Sequence, residues 1–133
     1  MTLRHINVDA LGKPKGYTHA IQAPPGASVV FLAGQTARGT DERIVAGGMA
    51  KQWDQTLQNV LAVVSEVGGR PASISSMRVY VTDLDAYRGA LKEIGLIWRD
   101  RMGLHYPAMT LVAVSGLVDE GALVEIEATV VLA

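Results

Sequence analysis

Residues 121–133 read GALVEIEATVVLA, and the alternation within them sets the architecture of the chain. Apolar residues at every second position mark a strand, because successive side chains leave a pleated backbone on opposite faces. One face carries Val124, Ile126, Ala128, Val130 and Leu132 and requires a covering layer. The other carries Leu123, Glu125, Glu127, Thr129 and Val131, too apolar at its ends for water and too charged in its middle for a dry core. Two carboxylates on such a face mark a candidate site, and Met109, in the preceding strand, is expected to stand opposite them.

Upstream, the period changes to three and four across Met49, Trp53, Leu57, Val60, Leu61, Val64 and Val67, with Lys51, Asp54, Gln55 and Gln58 between them, which predicts a helix ended by Gly68-Gly69-Arg70. SSMRVYVTD (75–83) alternates again, with Met77, Val79 and Val81 on one face and Arg78 and Tyr80 on the other. Asp83 or Asp85 then caps a second helix, striped by Tyr87, Leu91, Ile94 and Trp98 and stopping near Gly103. The N-terminal part reads as three short strands: THAIQA (18–23) and SVVFLAG (28–34), joined as a hairpin through PPGA (24–27), and RIVAG (43–47). AMTLVAVS (108–115) precedes the final strand. The order β-β-β-α-β-α-β-β predicts an α+β domain over residues 1–133, a mixed six-stranded sheet with two helices on one face. Two helices cannot cover both faces of such a sheet, so the second face is expected to meet another subunit.

Composition narrows the function. The 133 residues are 49% hydrophobic, enough for one core of ordinary size. No cysteine is present, which removes disulfides and thiolate chemistry and points to a reducing, cytoplasmic home. Twelve basic against thirteen acidic residues give a formal net charge of -1, without the basic surplus that nucleic acids attract. No run is long and apolar enough for a membrane span or a signal core, so a soluble protein without nucleic-acid or membrane partners is expected. His5, His19 and His105 share no metal-binding spacing, and no motif asks for a cofactor. Arg99 and Arg101 read as a solvated helix end, and Trp53 and Trp98 as core.

Five stretches taken together, GYTHAI (16–21), FLAGQT (31–36), VYVTDLDAY (79–87), YPAMTLV (106–112) and GALVEIEA (121–128), resemble the RidA/YjgF family of reactive intermediate deaminases over nearly the whole chain. The resemblance implies a chorismate-mutase-like fold assembled as a homotrimer, with the sheets lining a central barrel and ligand clefts between subunits. It also implies hydrolysis of a 2-imino or enamine acid to a 2-keto acid and ammonia. Carried over position by position, Glu127 falls on the glutamate that positions the attacking water. Tyr17 falls on the cleft tyrosine, Gly34 on the strand glycine that approaches the ligand, and Leu111 on a ligand-facing backbone position. Met109 falls where those deaminases have the arginine that grips the substrate carboxylate. A guanidinium offers two parallel charge-assisted bonds and a thioether offers none. Standard 2-imino acids are therefore expected to be poor substrates unless Arg78 or Arg38 supplies the charge.

Residue type alone also allows Glu127 to be a structural carboxylate, Tyr17 a half-buried strand-edge tyrosine, and Arg78 a salt-bridge partner of Glu125 or Glu127. Two functions stand side by side: a deaminase-like hydrolase of an unidentified small metabolite, and a non-catalytic trimer that binds small metabolites in the same clefts. RNA cleavage, a third possibility, lacks a histidine pair and a stacking platform, with a single Phe in the chain.

Overall fold

The C-terminal strand runs down the middle of the structure, a computed structural model that describes residues 3–132. Met1, Thr2 and Ala133, the ends of the expected domain, lie outside the described residues. In chain order the elements are β1 (Arg4–Ile6), β2 (Ala20–Gln22), β3 (Ser28–Gln35), α1 (Met49–Glu66), β4 (Ile74–Val81), α2 (Leu84–Gly89), α3 (Leu91–Met102), β5 (Ala108–Ala113) and β6 (Val124–Leu132). Four strands form one sheet in the order β3-β6-β4-β5, with β4 and β5 parallel and the other pairs antiparallel. The parallel pair follows from the two helices between β4 and β5, a crossover that returns the chain in the same direction. β1 and β2 form a separate ribbon, and a single bridge from Thr18 to Ala108 ties the segment before β2 to the edge of β5.

The helix-covered face is the expected one. Val124, Ile126 and Val130 of β6 and Val79 and Val81 of β4 are fully buried beneath Trp53, Leu57, Val60 and Val64 of α1 and Ile94 and Trp98 of α3. Buried Gln52 adds a polar rivet that the apolar stripe does not reveal. Its Nε2 donates to the Gly121 carbonyl (3.0 Å) and its Oε1 accepts from the Leu123 amide (2.8 Å), fixing the entry to β6. Arg101 does not end in solvent: it pairs with Asp54 at 2.8 Å and joins α3 to α1.

Several local expectations change. The 18–23 and 28–34 segments do not form a hairpin, because β2 pairs with β1 while β3 takes the longer, more apolar β6 as its partner. Residues 43–47 form no strand; Ile44 makes one isolated bridge to Arg38 across a turn in which Glu42 adopts positive φ. Asp83 caps the second helical segment, accepting from the Ala86 amide at 3.0 Å, but that segment breaks at Ala90 into α2 and α3. Val131, expected on the uncovered face, is buried.

The largest correction concerns Met109. Because β6 pairs with β3 and β4, the residues beside Glu125 and Glu127 are Tyr80 and Arg78 of β4, while Met109 lies one strand further out beside Met77. Met77 is the partner of Ala128, so Met109 shares the helix-covered face and the glutamates project from the other. No helix among the described residues is long and apolar enough to cross a membrane.

Candidate functional site

The side chains singled out in the sequence gather at two places. On the face away from the helices, the Tyr80 hydroxyl donates to Glu127 Oε1. The proximity follows from register: Tyr80 is the cross-strand partner of Glu125, and Glu127 is its diagonal neighbour on the same face. Sequence reasoning placed Tyr80 on this face without giving it a role. The bond to Glu127 holds the Tyr80 phenol above its usual range, since ionisation would set two anions against each other. Arg78, opposite Glu127 in the register, is exposed and belongs to neither ion pair among the described residues, Arg38–Asp119 and Arg101–Asp54. The interface salt bridge that residue type allows between Arg78 and Glu125 or Glu127 has no counterpart within one chain among the described residues.

Glu125 closes over Gly34. The register between β3 and β6 slips between Leu32 and Gln35, and in that irregularity a Cβ on Gly34 would lie 2.9 Å from Glu125 Cδ. Glycine is what lets the carboxylate settle on the backbone there. Gly34, Glu125, Thr36, Arg38 and Asp119 line a cavity of 360 Å³. Thr36 donates its hydroxyl to Asp119 at 2.5 Å, and Arg38 pairs with the same carboxylate at 3.5 Å, so Arg38 is already engaged. Burial, then the charges of Asp119 and Glu127, push the Glu125 carboxyl up from its ordinary value.

Tyr17, Met109 and Leu111 line a different cavity, of 450 Å³, on the helix side of β5. Its floor is aromatic: Trp53 lies 5.7 Å from Tyr87, and Trp98 stacks on Tyr106 at 6.0 Å. A smaller hollow of 310 Å³ wraps the start of β4 and β5 and brings Tyr17, Met109 and Arg78 to one rim. One chain therefore holds Gly34 and Glu127 on one face, Tyr17, Met109 and Leu111 at the opposite face and edge, and Arg78 within reach of the edge.

A histidine pair that sequence spacing did not reveal is also present. His5 and His105 meet edge to face at 5.2 Å. His105 Nε2 donates to the Ile74 carbonyl at 2.7 Å and His5 Nδ1 contacts the Thr18 hydroxyl at 3.1 Å, so both rings are tied into the scaffold. Among the described residues no group of three or more His, Asp or Glu could hold a metal ion.

Comparison with known proteins places this geometry. The structure superposes on the conserved Rid-family protein YyfB of Yersinia pestis, a protein of unknown function, with a TM-score of 0.87 at 29% identity over 99% of this chain and 100% of that one. It superposes on E. coli TdcF with bound serine with a TM-score of 0.70 at 26% identity over 92% of each. Among curated proteins, yeast HMF1 is 25% identical over 101 residues, 76% of this chain and 73% of its own. The family model described as endoribonuclease L-PSP matches residues 8–132, and with these neighbours it shows that the chain belongs to the Rid/YjgF family.

Proposed function

We propose that this protein is a Rid-type hydrolase of the C=N bond of a small imine or enamine, working in clefts between the subunits of a homotrimer. The observation that carries the reading is the Tyr80–Glu127 contact on the sheet face opposite the helices. Tyr80 holds one carboxylate oxygen of Glu127, which leaves the other to orient a water. In the reaction that water adds to the carbon of the protonated imine and gives up one proton to Glu127. Glu127 passes this proton to the amine nitrogen of the carbinolamine, the C–N bond breaks with release of ammonia, and the hydroxyl proton is taken up by Glu127 and then by the ammonia, which leaves as ammonium as the carbonyl forms. Tyr17, Gly34, Met109 and Leu111 contact the ligand. Tyr17, Met109 and Leu111 come from one subunit and Gly34 and Glu127 from its neighbour, because the sheet separates them within a chain. The exposed apolar residues Phe31 (81%) and Val29 (50%) of β3 support an assembly that buries this face. The serine bound to TdcF supports an amino-acid-sized ligand for the family cleft.

Met109 favours a second reading, a trimer that binds a metabolite without converting it. Losing one partner of a buried charge pair costs about 2–5 kcal/mol, and Met109 supplies no charge. Arg78, at the rim beside Met109, is the cation best placed to compensate. Glu127→Ala separates the readings. Loss of ammonia release from freshly generated imines with ligand binding retained marks the hydrolase; binding in both forms with turnover in neither marks the binding protein.

A further inference from the structure

The 310 Å³ hollow at the outer edge of β5 is lined by hydrogen-bond donors. Ser76 and Arg78 of β4 meet Thr110 of β5 there, because the parallel register sets Arg78 against Thr110 and Ser76 against Ala108. Tyr17 and His19 close the hollow from the segment before β2. Thr18 anchors that segment beside β5: its amide donates to the Pro107 carbonyl at 3.1 Å and its hydroxyl to the Tyr106 carbonyl at 2.5 Å. The His19 ring has one defined tautomer when neutral, since its Nδ1 accepts from the Val8 amide at 3.0 Å and the proton is left on Nε2. No aspartate or glutamate lines the hollow, whereas the 360 Å³ cavity around Gly34 holds both Asp119 and Glu125. Arg78 stands between Thr110 and Glu127 in the register and forms no ion pair among the described residues, while Glu127 takes the Tyr80 hydroxyl.

We propose that this hollow binds the phosphate group of a small phosphate monoester. Such a group carries three strong acceptor oxygens and takes donors from several directions at once. Here a guanidinium, an imidazole N–H and three hydroxyls converge from β4, β5 and the segment before β2. The arginine fork suits two of the phosphate oxygens, and the hydroxyls and imidazole serve the third. A carboxylate has only two oxygens, both in one plane, and leaves part of this donor set unused. Tyr17 and Met109 line both this hollow and the 450 Å³ cavity, so the organic part of the ester has a direct way past them. The inference names a substrate class for the cleft, phosphorylated imines or enamines. It rests on the hydrolase reading for turnover but not for binding.

The test is titration of the whole protein with inorganic phosphate and with glycerol 3-phosphate at constant ionic strength, read by calorimetry and by phosphorus NMR line broadening. Glycerate, which carries a carboxylate in place of the phosphate, and dimethyl phosphate, a diester with a single charge, are the comparisons. Both phosphate probes are expected to bind, and glycerate and the diester to bind about tenfold more weakly or worse. Arg78→Ala is expected to weaken glycerol 3-phosphate about ten- to a hundredfold. Arg78→Lys should weaken it less, since the charge stays and the fork is lost. Thr110→Val, an exposed change that removes one hydroxyl, should cost about two- to tenfold. Neither heat nor broadening with the two phosphate probes overturns the proposal, as does unchanged affinity in Arg78→Ala. Glycerate binding as tightly as the ester overturns it in favour of a carboxylate site, and dimethyl phosphate binding as tightly does so in favour of a phosphodiester backbone. Binding of glycerol 3-phosphate without ammonia release from any imine sustains this inference and removes the hydrolase reading; ammonia release without binding of either phosphate does the reverse.

Discussion

The two faces of the four-stranded sheet are built on opposite principles. On the helix side, Val79, Val81, Ile126 and Val130 are fully buried by α1 and α3 of the same chain, so this face is completed by local sequence and its packing stabilises the domain. On the other side Phe31 stands 81% exposed, Arg78 pairs with no carboxylate among the described residues, and the Tyr80 hydroxyl donates to Glu127. The difference teaches that packing within the chain completes one surface, while the water-directing chemistry proposed above is assigned to the other, where polar groups become enclosed only when an assembly forms.

Mutations on the two faces should therefore fail in different ways. The largest effect is expected from Phe31→Glu, which places an unpaired carboxylate on the proposed interface at a cost of about 3–5 kcal/mol per contact. Sedimentation should show monomers in place of trimers, with the helical circular dichroism unchanged. A trimer that survives this change shows that β3 lies outside the interface, and a wild-type monomer at micromolar concentration removes the assembly altogether. On the helix side, Ile126→Ala should lower the unfolding free energy by about 2–5 kcal/mol through the cavity it leaves, read as a shifted denaturant midpoint. A loss as small as that of an exposed residue would erase the contrast between the faces.

A smaller effect is expected at the edge where the faces meet. The wild-type protein should hydrolyse the imines formed from serine and threonine slowly, and Met109→Arg should raise kcat/KM for them about tenfold, or 1.4 kcal/mol, with the trimer intact. Within one chain the new guanidinium would leave the helix-covered face while Glu127 leaves the other, so the two do not neutralise each other there. Adding Glu127→Ala to Met109→Arg should cancel the gain. A gain that persists without Glu127 means that another group directs the water, and a fast wild-type reaction directs attention to Arg78 as the carboxylate anchor.

The same contrast explains what could be read from sequence. Period two in 121–133 and period 3.6 from Met49 reported the helix-covered face, because burial of one face imposes those periods directly. Strand partners were harder. THAIQA and SVVFLAG sit beside a turn sequence that suits a hairpin, yet β3 buries more by pairing with β6, and nothing local records that choice. The position of Met109 failed for the same reason: chain order placed β5 next to β6, and the parallel crossover inserted β4 between them. Glu127, Tyr17, Gly34, Met109 and Leu111 were singled out through motif resemblance, while the contact of Tyr80 with Glu127 carries no local signal and emerges only from register. Gln52 was hidden because a buried glutamine inside a helical stripe looks like an ordinary exposed position.

The smallest expected effect belongs to the scaffold beneath the edge and concerns pH. Burial lowers the pKa of His105 below its ordinary value; its bond to the Ile74 carbonyl works the other way, and neighbouring His5 adds to the lowering. In the unfolded chain a histidine takes up a proton near pH 6.5, whereas folded His105 stays neutral to a lower pH and goes on donating from Nε2 to Ile74. Below that unfolded value the unfolded state binds more protons than the native one, so stability falls as pH drops and is regained as pH rises. The loss should begin near pH 6.5 and level off once the folded imidazole itself protonates. Chemical denaturation between pH 7.5 and pH 5 provides the measurement, with His105→Gln as the comparison, since glutamine keeps an N–H donor near Nε2 and does not titrate. The wild type should lose more stability than the variant over that interval. Parallel pH profiles would show that burial of His105 does not set this dependence and that other groups carry it.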